Sequence, residues 1–272
     1  MSKPERQAIF ITGAASGMGR ETARLFAERS WLVGAYDING DGLAKLRVEL
    51  GRDTCITGML DVSDRSAYAT ALDAFAAASG GRLDLLFNNA GIGRAGYFDE
   101  QDFADILAVV NVNLVGVLNG IHLAAPLLKA TANSLCFTTS SSSATFGMPG
   151  IAVYSATKHA VRGLTEALSI EMARHGVRVA DTLPGLIDTA ILPDHVKANA
   201  PREGMFRLVA PRAVAEAVWA AYHDEPERLH WFVPEEIGEL DKAAALDPEG
   251  TRARLTAQGV VSAMLSEAGA PD

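Results

Sequence analysis

The sequence predicts an α/β protein, a single domain over residues 1–272 in which helices cover both faces of a doubly wound parallel sheet. Two observations predict this class. Short apolar segments alternate regularly with helical segments, a pattern typical of a mostly parallel sheet. The chain of 272 residues, 49% of them apolar, is also long enough to bury a core without disulfides or metal ions.

The first half contains four strand and helix repeats. Each predicted strand is a short apolar segment, and the segment after it has apolar residues at helical spacing. We expect strands at 8–12, 31–36, 55–60 and 83–87, and helices at 18–29, 42–50, 65–78 and 102–129.

The second half continues the pattern, with strands expected at 134–139, 177–183 and 229–233 and helices at 154–175 and 211–223. Gly176 stops the first of these helices, and Pro211 begins the second, where its missing N–H costs nothing. The periodicity fails over 185–210, which we interpret as an apolar substrate-binding flap. A C-terminal extension occupies 234–272, with helical spacing at 254–267.

Charge and composition exclude several classes of protein. The chain has 24 basic and 33 acidic side chains and a net charge of −9, so nucleic acid is not an expected partner. The two cysteines lack metal-binding spacing and the N-terminus lacks an export signal, so we expect a reduced, cytoplasmic protein. The apolar segment 107–128 contains Asn111, Asn113, Asn119 and His122, which predicts a buried helix and no membrane span.

A glycine-rich turn, TGAASGMG, joins the first strand to the first helix. Such a turn exposes main-chain N–H groups and the positive end of a helix to a phosphate. Because a strand and a helix flank it, the turn predicts dinucleotide binding. The residues expected to take part are Thr12, Gly13, Ser16, Gly17, Met18 and Gly19.

Asp37 ends the second strand, 18 residues after Gly19, near the distance at which an acidic residue accepts hydrogen bonds from the adenosine ribose. A 2′-phosphate would be repelled by this carboxylate, and the three residues that follow it offer no cation. The pattern therefore favours NAD over NADP. Asp61 and Val62 follow the third strand, where they either contact the adenine or only cap the next helix.

Tyr154 and Lys158 place a phenol and an ammonium at i and i+4 on one helical face. Lowering a tyrosine pKa of about 10 by about three units requires about 4 kcal/mol. One cation at about 4 Å supplies about that much at an effective dielectric of 20. The pair is therefore suited to proton chemistry near neutral pH.

These motifs, together with Asn88-Asn89-Ala90-Gly91 and a serine cluster, resemble the classical short-chain dehydrogenase/reductase family over residues 9–189. The resemblance implies a Rossmann fold. It also implies that Tyr154 is the general acid/base and that Lys158 lowers its pKa and holds the nicotinamide ribose. The family serine lies 13 residues before the tyrosine, which selects Ser141 to bind the substrate oxygen, with Ser140 and Ser142 as adjacent alternatives.

Further residues follow from the same resemblance. Asn113 matches the family asparagine that interrupts its helix and fixes a water leading to the lysine. The catalytic residues implied are therefore Asn113, Ser141, Tyr154 and Lys158. Tyr154 and Lys158 are also implied to bind the cofactor. The other cofactor-binding residues implied outside the glycine turn are Asn89, Ala90, Gly91, Pro184, Gly185 and Thr189.

The resemblance implies an NAD-dependent oxidoreductase that transfers a hydride between the nicotinamide and a secondary alcohol or ketone. The apolar flap favours a hydrophobic small molecule, such as a sterol, a terpenoid or an aryl alcohol. The alternatives are an NADP-dependent carbonyl reductase and a non-catalytic dinucleotide-binding regulator. No metal site is expected, because the six histidines show no paired ligand spacing.

The chain departs from the family at its C-terminal end. Many members finish in a glycine-rich segment that helps to build a tetramer interface, whereas this chain continues with HWFVPEE and about 36 further residues. A homodimer through the helices at 102–129 and 154–175 and a homotetramer are both open on this basis.

Overall fold

The computed structural model describes residues 6–224 and 227–258, and seven parallel strands form its sheet in the order β3-β2-β1-β4-β5-β6-β7. This confirms the doubly wound α/β class. The strands are β1 (Ala8–Thr12), β2 (Leu32–Asp37), β3 (Cys55–Met59), β4 (Leu85–Asn88), β5 (Leu135–Thr139), β6 (Arg178–Pro184) and β7 (His230–Val233).

The helices lie on both faces of the sheet and alternate with the strands along the chain. They are α1 (Gly17–Glu28), α2 (Gly40–Leu50), α3 (Arg65–Ser79), α4 (Phe103–Val110), α5 (Gly116–Ala130), α6 (Ala152–Ala173), α7 (Asp194–Asn199), α8 (Pro211–His223), α9 (Ile237–Leu246) and α10 (Pro248–Ala257). A π-helical turn, Asn111–Val115, joins α4 to α5.

The core has two halves because the side chains of a strand alternate between its faces. Ile9 and Ile11 of β1 face one layer, where Phe26 and Trp31 pack edge to face. Phe10, between them, faces the other layer and packs against aromatic rings from β2 and α3. Each such buried side chain contributes about 1.5–3 kcal/mol, so the two layers clamp the sheet.

The structure corrects several expected boundaries. The second helix begins at Gly40, two residues early, because Asn39 caps it by accepting from the N–H of Gly42 at 3.0 Å. The fourth strand begins two residues late, because the N–H of Leu83 donates to the Thr131 hydroxyl at 3.1 Å rather than to a strand.

The longer segments differ as well. The helix expected at 102–129 is divided by the π-helical turn. The flap at 185–210 contains the short helix α7, and the extension contains α9 and α10. The helical spacing at 254–267 overlaps α10 only at 254–257 and did not predict α9. Asp247 begins α10 by accepting from the N–H of Gly250 at 2.9 Å. Residues 259–272, the remainder of the extension, lie outside the described residues.

By length and composition alone, the helical segment Phe103–Ala130, 28 residues, could cross a membrane. In the structure it packs on α3, α6, β4 and β5. It also buries Asn113 and Asn119, and the Asn119 side chain donates to the Val62 carbonyl at 3.0 Å. This is the environment of a helix that covers a sheet.

We expect Asp84→Ala to lower the free energy of unfolding by about 3 kcal/mol, because it removes a fully buried carboxylate and leaves its three hydrogen-bond donors without that acceptor. The carboxylate is fully buried and accepts from the N–H of Ala8 at 2.9 Å, from Arg82 at 2.7 Å and from the Tyr222 hydroxyl at 3.1 Å. Urea denaturation measures the loss. Asp73→Ala, at an exposed position on α3, is the matched control, and equal losses in both variants would contradict the expectation.

Candidate active site

The candidate site lies where the strand order reverses, between β1 and β4. The carboxyl ends of the two strands diverge at this point, and in open parallel sheets the crevice so formed is the usual place for a ligand. The glycine turn after β1, the segment after β4 and the serine turn after β5 all end there.

The glycine turn forms a tight cradle that leaves no space for side chains. Gly13 has φ +68°, and a Cβ atom there would lie 2.9 Å from the Cα of Ala90. A Cβ atom at Gly19 would lie 2.2 Å from the carbonyl oxygen of Gly13. Ser16 precedes α1 and is exposed, and within the described chain no side-chain hydrogen bond caps this end of α1. The first N–H groups of the helix therefore face the crevice in the manner of an anion site.

Asn89 connects the ends of the strands that form the crevice. Its side-chain amide donates to the carbonyls of Thr12 and Gly13 at 3.0 and 3.2 Å, and its oxygen accepts from the Thr139 hydroxyl at 3.3 Å. The N–H groups of Asn89 and Ala90 both donate to the Thr12 hydroxyl, at 3.0 and 3.1 Å. These contacts hold the ends of β1, β4 and β5 together.

Asp37 is held beside the glycine turn. Its carboxylate accepts from the N–H of Ala15 at 2.9 Å and from the N–H of Asn39 at 2.9 Å. The carboxylate therefore lies at the end of β2, at the side of the cradle where an adenosine ribose would lie in a dinucleotide fold.

Asp61 and Val62 do not join these groups through any side-chain bond that the described residues show. Asp61 is exposed and accepts from the N–H and the hydroxyl of Ser63, at 2.9 and 2.7 Å, so it caps a turn before α3. Val62 is buried against α5, where a Cβ atom on Gly116 would lie 2.5 Å from its Cγ2. The N-cap of α3 is instead Asp64, which accepts from the N–H groups of Ser66 and Ala67 at 2.8 and 3.0 Å, so Asp61 does not cap that helix and its contact with the adenine stays a prediction.

The serine turn after β5 brings Ser141 to Tyr154. Ser141 lies near enough to Tyr154 to lower its pKa, while burial of the phenol raises that pKa by more, so the net shift is upward. Ser140 instead donates to the carbonyl of Lys158 at 3.0 Å, and its hydroxyl is committed to α6. Ser142 is half-buried at the start of a short 3₁₀ turn. Of the three serines, Ser141 is therefore the one that the fold turns toward the phenol.

Lys158 is buried, 3% exposed, and its Nζ donates to the Thr139 carbonyl at 2.7 Å. The Nζ atom lies 5.5 Å from the centre of the Tyr154 ring. Burial lowers the pKa of Lys158 from 10.5 to about 8. Burial therefore penalises the phenolate and the ammonium together in the protein alone, and the lowering of the Tyr154 pKa by Lys158 stays a prediction.

Asn113 lies inside the π-helical turn and is fully buried. Its side chain accepts from the N–H of Ile92 at 2.8 Å and donates to the Ile92 carbonyl at 2.9 Å. A Cβ atom on Gly91 would lie 3.3 Å from the Asn113 side-chain oxygen and 3.7 Å from the Nζ of Lys158. Asn113, Gly91 and Lys158 are therefore neighbours, and they meet where the π-helical turn separates α4 from α5.

The segment after β6 covers the cradle from the other side. Pro184 is buried at the end of β6, and the N–H of Gly185 donates to the Val233 carbonyl at 2.8 Å. Thr189 lies over the glycine turn, so that a Cβ atom on Gly17 would lie 2.9 Å from its Cγ2. A cavity of about 490 Å³ opens beside Gly17 and Thr189, between α1 and the flap.

Two contributions to the site were not predicted from the sequence. The Thr139 carbonyl accepts from Lys158 and the Thr139 hydroxyl donates to Asn89; its place as the last residue of β5 was the available signal. Ile237 of α9 packs on the segment after β6, where a Cβ atom on Gly185 would lie 2.8 Å from its Cδ1. No local sequence pattern indicates that second contact.

The site fits a nicotinamide dinucleotide for two reasons. The glycine cradle leaves no space for side chains beside the N-terminus of α1, and the carboxylate of Asp37 lies next to this cradle. Over residues 6–224 and 227–258, no group of three or more His, Cys, Asp or Glu side chains could hold a metal ion.

Comparison with known proteins agrees with this geometry. The family model for short chain dehydrogenases matches residues 7–200. The oxidoreductase SadH of Mycobacterium tuberculosis is 36% identical over 220 residues, covering 79% of each chain. The cyclohexanol dehydrogenase of an Acinetobacter species is 32% identical over 222 residues, covering 80% of this chain and 88% of the relative. The crystal structure of a Burkholderia phymatum short chain dehydrogenase/reductase in complex with NAD matches with a TM-score of 0.79 and 26% identity, over 92% and 97% of the two chains.

The low pKa of Lys158 predicts a pH dependence of stability. Between pH 8 and 10.5 the unfolded chain keeps the Lys158 proton and the folded chain does not, so stability rises with pH there. Below pH 8 both states bind the proton and burial of the charge opposes folding. We expect the free energy of unfolding of the wild type to rise relative to Lys158→Met by about 1 kcal/mol per pH unit between pH 8 and 10. Urea denaturation of both proteins measures this difference, and parallel pH profiles would contradict it.

Proposed function

The chain belongs to the short chain dehydrogenase family, which confirms the resemblance seen in its motifs, and we propose that it is an NAD-dependent dehydrogenase of hydrophobic secondary alcohols. The observation that carries the proposal is the placement of Lys158, which is buried with its Nζ atom 5.5 Å from the centre of the Tyr154 ring. Its Nζ donates to the Thr139 carbonyl, and the Thr139 hydroxyl donates to Asn89, which holds the glycine turn. A proton-transfer group, its positioning partner and a dinucleotide cradle thus meet at one edge of the sheet.

Each part of the cofactor has a candidate partner in the chain. The turn from Gly13 to Gly19 would hold the diphosphate, Asp37 the adenosine ribose, and Lys158 the nicotinamide ribose. Gly185 and Thr189 would hold the nicotinamide amide. When bound, the dinucleotide accepts or supplies the hydride at its nicotinamide ring.

The protein groups supply the proton step. In reduction, the Tyr154 phenol donates its proton to the carbonyl oxygen of the substrate, and the upward shift of its pKa keeps that proton in place until then. In oxidation the phenolate accepts the alcohol proton. Positive charge on Lys158 and on the oxidised ring would favour the phenolate, in opposition to burial. Ser141 would donate a hydrogen bond to the substrate oxygen and keep it near the phenol.

The flap and the segment opposite it support a hydrophobic substrate. Ile191 and Phe206 on the flap are exposed, as are Tyr97 and Phe98 on the segment after β4. Ile191 lies opposite Gly93, where a Cβ atom would be 3.7 Å from its Cγ1, so the two segments face each other across the cleft. A lining of this kind favours apolar ligands, and the Acinetobacter relative is named for a cyclic secondary alcohol.

We also propose that the protein is a cytoplasmic homodimer. Phe103, Leu107 and Leu118, which are exposed on α4 and α5, support self-association through this helical face. Light scattering of the wild type and Leu118→Glu tests this: a dimer converted to a monomer agrees, and a wild-type monomer contradicts it.

Asp37→Ala is expected to weaken NADH binding by about tenfold and to leave NADPH binding equal or tighter, because the carboxylate is lost for one ligand and the repulsion for the other. Fluorescence titration with both nucleotides measures the change. The matched control is Asp53→Ala, at an exposed position outside the cradle. A native protein that already prefers NADPH would contradict the NAD assignment and favour a carbonyl reductase.

Tyr154→Phe is expected to lower kcat for oxidation of cyclohexanol by about 10³-fold or more while NADH binding stays within about twofold, because only the proton-transfer group is removed. Lactate, a small charged alcohol, serves as the contrasting substrate. Tyr36→Phe, which removes a buried phenol that donates to the Ala71 carbonyl, is the control and should keep its activity. NADH binding without turnover of any secondary alcohol by the wild type would favour the non-catalytic regulator.

A further inference from the structure

An ion pair outside the reacting groups connects the C-terminal helix α9 to the serine turn. Arg162 lies on α6, four residues after Lys158, and its guanidinium donates to both carboxylate oxygens of Asp241 on α9, at 2.9 Å to the second of them. The same guanidinium donates to the main-chain carbonyl of Ala144 at 3.2 Å. One side chain of α6 therefore contacts two other segments of the chain.

The Ala144 carbonyl belongs to the turn that carries Ser141. Ser141 caps this turn, because its hydroxyl accepts from the N–H of Ser143 at 3.1 Å. The N–H of Ala144 also donates to the Ser141 carbonyl at 2.9 Å. Fixing the Ala144 carbonyl from outside thus restricts the residue whose hydroxyl meets Tyr154.

Helix α9 is anchored independently of this ion pair. Ile237 at its first turn is fully buried against the segment after β6. Gly238 packs on Phe232 of β7, where a Cβ atom would lie 3.1 Å from the ring. The Asp241 carboxylate is therefore presented from a fixed support, and not from a free tail.

The ion pair is partly shielded from water, since the side chains of Arg162 and Asp241 are 21% and 18% exposed. Hydrogen bonding to Asp241 raises the pKa of Arg162, so the guanidinium stays charged. Bidentate pairs of this kind fix orientation as well as distance. Glu166, at 3.2 Å, is a second acidic partner of Arg162.

We propose that Arg162 and Asp241 are positioning residues: through their ion pair, helix α9 holds the serine turn against α6 and keeps the Ser141 hydroxyl aligned with Tyr154. The inference rests on the proposed function, because it assigns Ser141 to the substrate oxygen. In this chain the C-terminal segment then contributes to turnover without touching the substrate. A displacement of about 1 Å in such a group is enough to lower a rate by about 100-fold.

The test must separate alignment of Ser141 from general bracing of the fold. A double-mutant cycle does so, because a residue that acts through Ser141 has little left to do once that hydroxyl is gone. Arg162→Met, Arg162→Lys and Asp241→Asn are each made in the wild type and in Ser141→Ala. kcat and KM for cyclohexanol, the Kd of NADH and the Tm are measured for every protein.

We expect Arg162→Met to lower kcat by about 10-fold or more in the wild type and by less than about twofold in Ser141→Ala, with the Kd of NADH unchanged. Arg162→Lys keeps a charge and one donor and should restore part of the loss. Arg24→Met is the matched control, since Arg24 also pairs with two carboxylates, Glu21 and Glu49, but on α1. It should leave kcat unchanged.

Two results would overturn the proposal. Equal fold losses of kcat in the wild type and in Ser141→Ala would show that the ion pair only stabilises the fold. An unchanged kcat in Arg162→Met would show that the ion pair does not affect turnover. If Arg162→Met does not fold, Asp241→Asn decides the question, because Glu166 still accompanies the guanidinium in that variant. If the positioning proposal fails in any of these ways, Tyr154→Phe is still expected to lose turnover, and the proposed function stands. Undiminished turnover in Tyr154→Phe would overturn the proposed function, and the positioning role with it.

Discussion

Burial of the Lys158 ammonium is the constraint on which the site depends. An amine that is 3% exposed requires a hydrogen-bond partner, and the Thr139 carbonyl provides it at 2.7 Å. This bond joins α6 to the carboxyl end of β5. The Thr139 hydroxyl continues to Asn89, whose amide holds the first residues of the glycine turn. Helix α6 and the glycine turn are thus connected through three residues, Lys158, Thr139 and Asn89.

The same burial also affects the protonation of both reacting groups in the protein alone. Removing water raises the pKa of Tyr154 and lowers that of Lys158, so both groups tend toward their neutral forms. Binding of a positively charged ring beside them would reverse this tendency for the phenol. The pKa of Tyr154, the proposed acid/base group, would therefore depend on the bound ligand as well as on Lys158.

Much of the fold and of the site could be predicted from the sequence because the signals are local. A glycine turn between a strand and a helix, and a tyrosine four residues before a lysine on a helix, require no knowledge of distant contacts. Choosing among Ser140, Ser141 and Ser142 required the structure, because neighbouring residues at the end of a strand point in different directions. The burial of Tyr154 and Lys158, which opposes charge on both groups, also required the structure, because a pairwise charge argument does not include it.

The C-terminal segment could not be predicted for a different reason. Its contacts join residues far apart in the chain, such as Arg162 and Asp241, 79 residues apart, and Gly185 and Ile237. Side-chain pairs of this kind leave no periodic pattern. The segment that replaces the family's glycine-rich ending instead packs, as far as residue 258, on the β6 and β7 side of its own chain.

The most direct test of the central claim follows the hydride itself. The protein is incubated with NAD⁺ and cyclohexanol that carries deuterium at the carbinol carbon, and the reduced nucleotide is analysed by mass spectrometry. We expect one deuterium at C4 of the nicotinamide in each reduced molecule, because the hydride passes directly from the substrate carbon. Reduced nucleotide without deuterium would contradict direct transfer, and with it the role assigned to the site formed by Ser141, Tyr154 and Lys158.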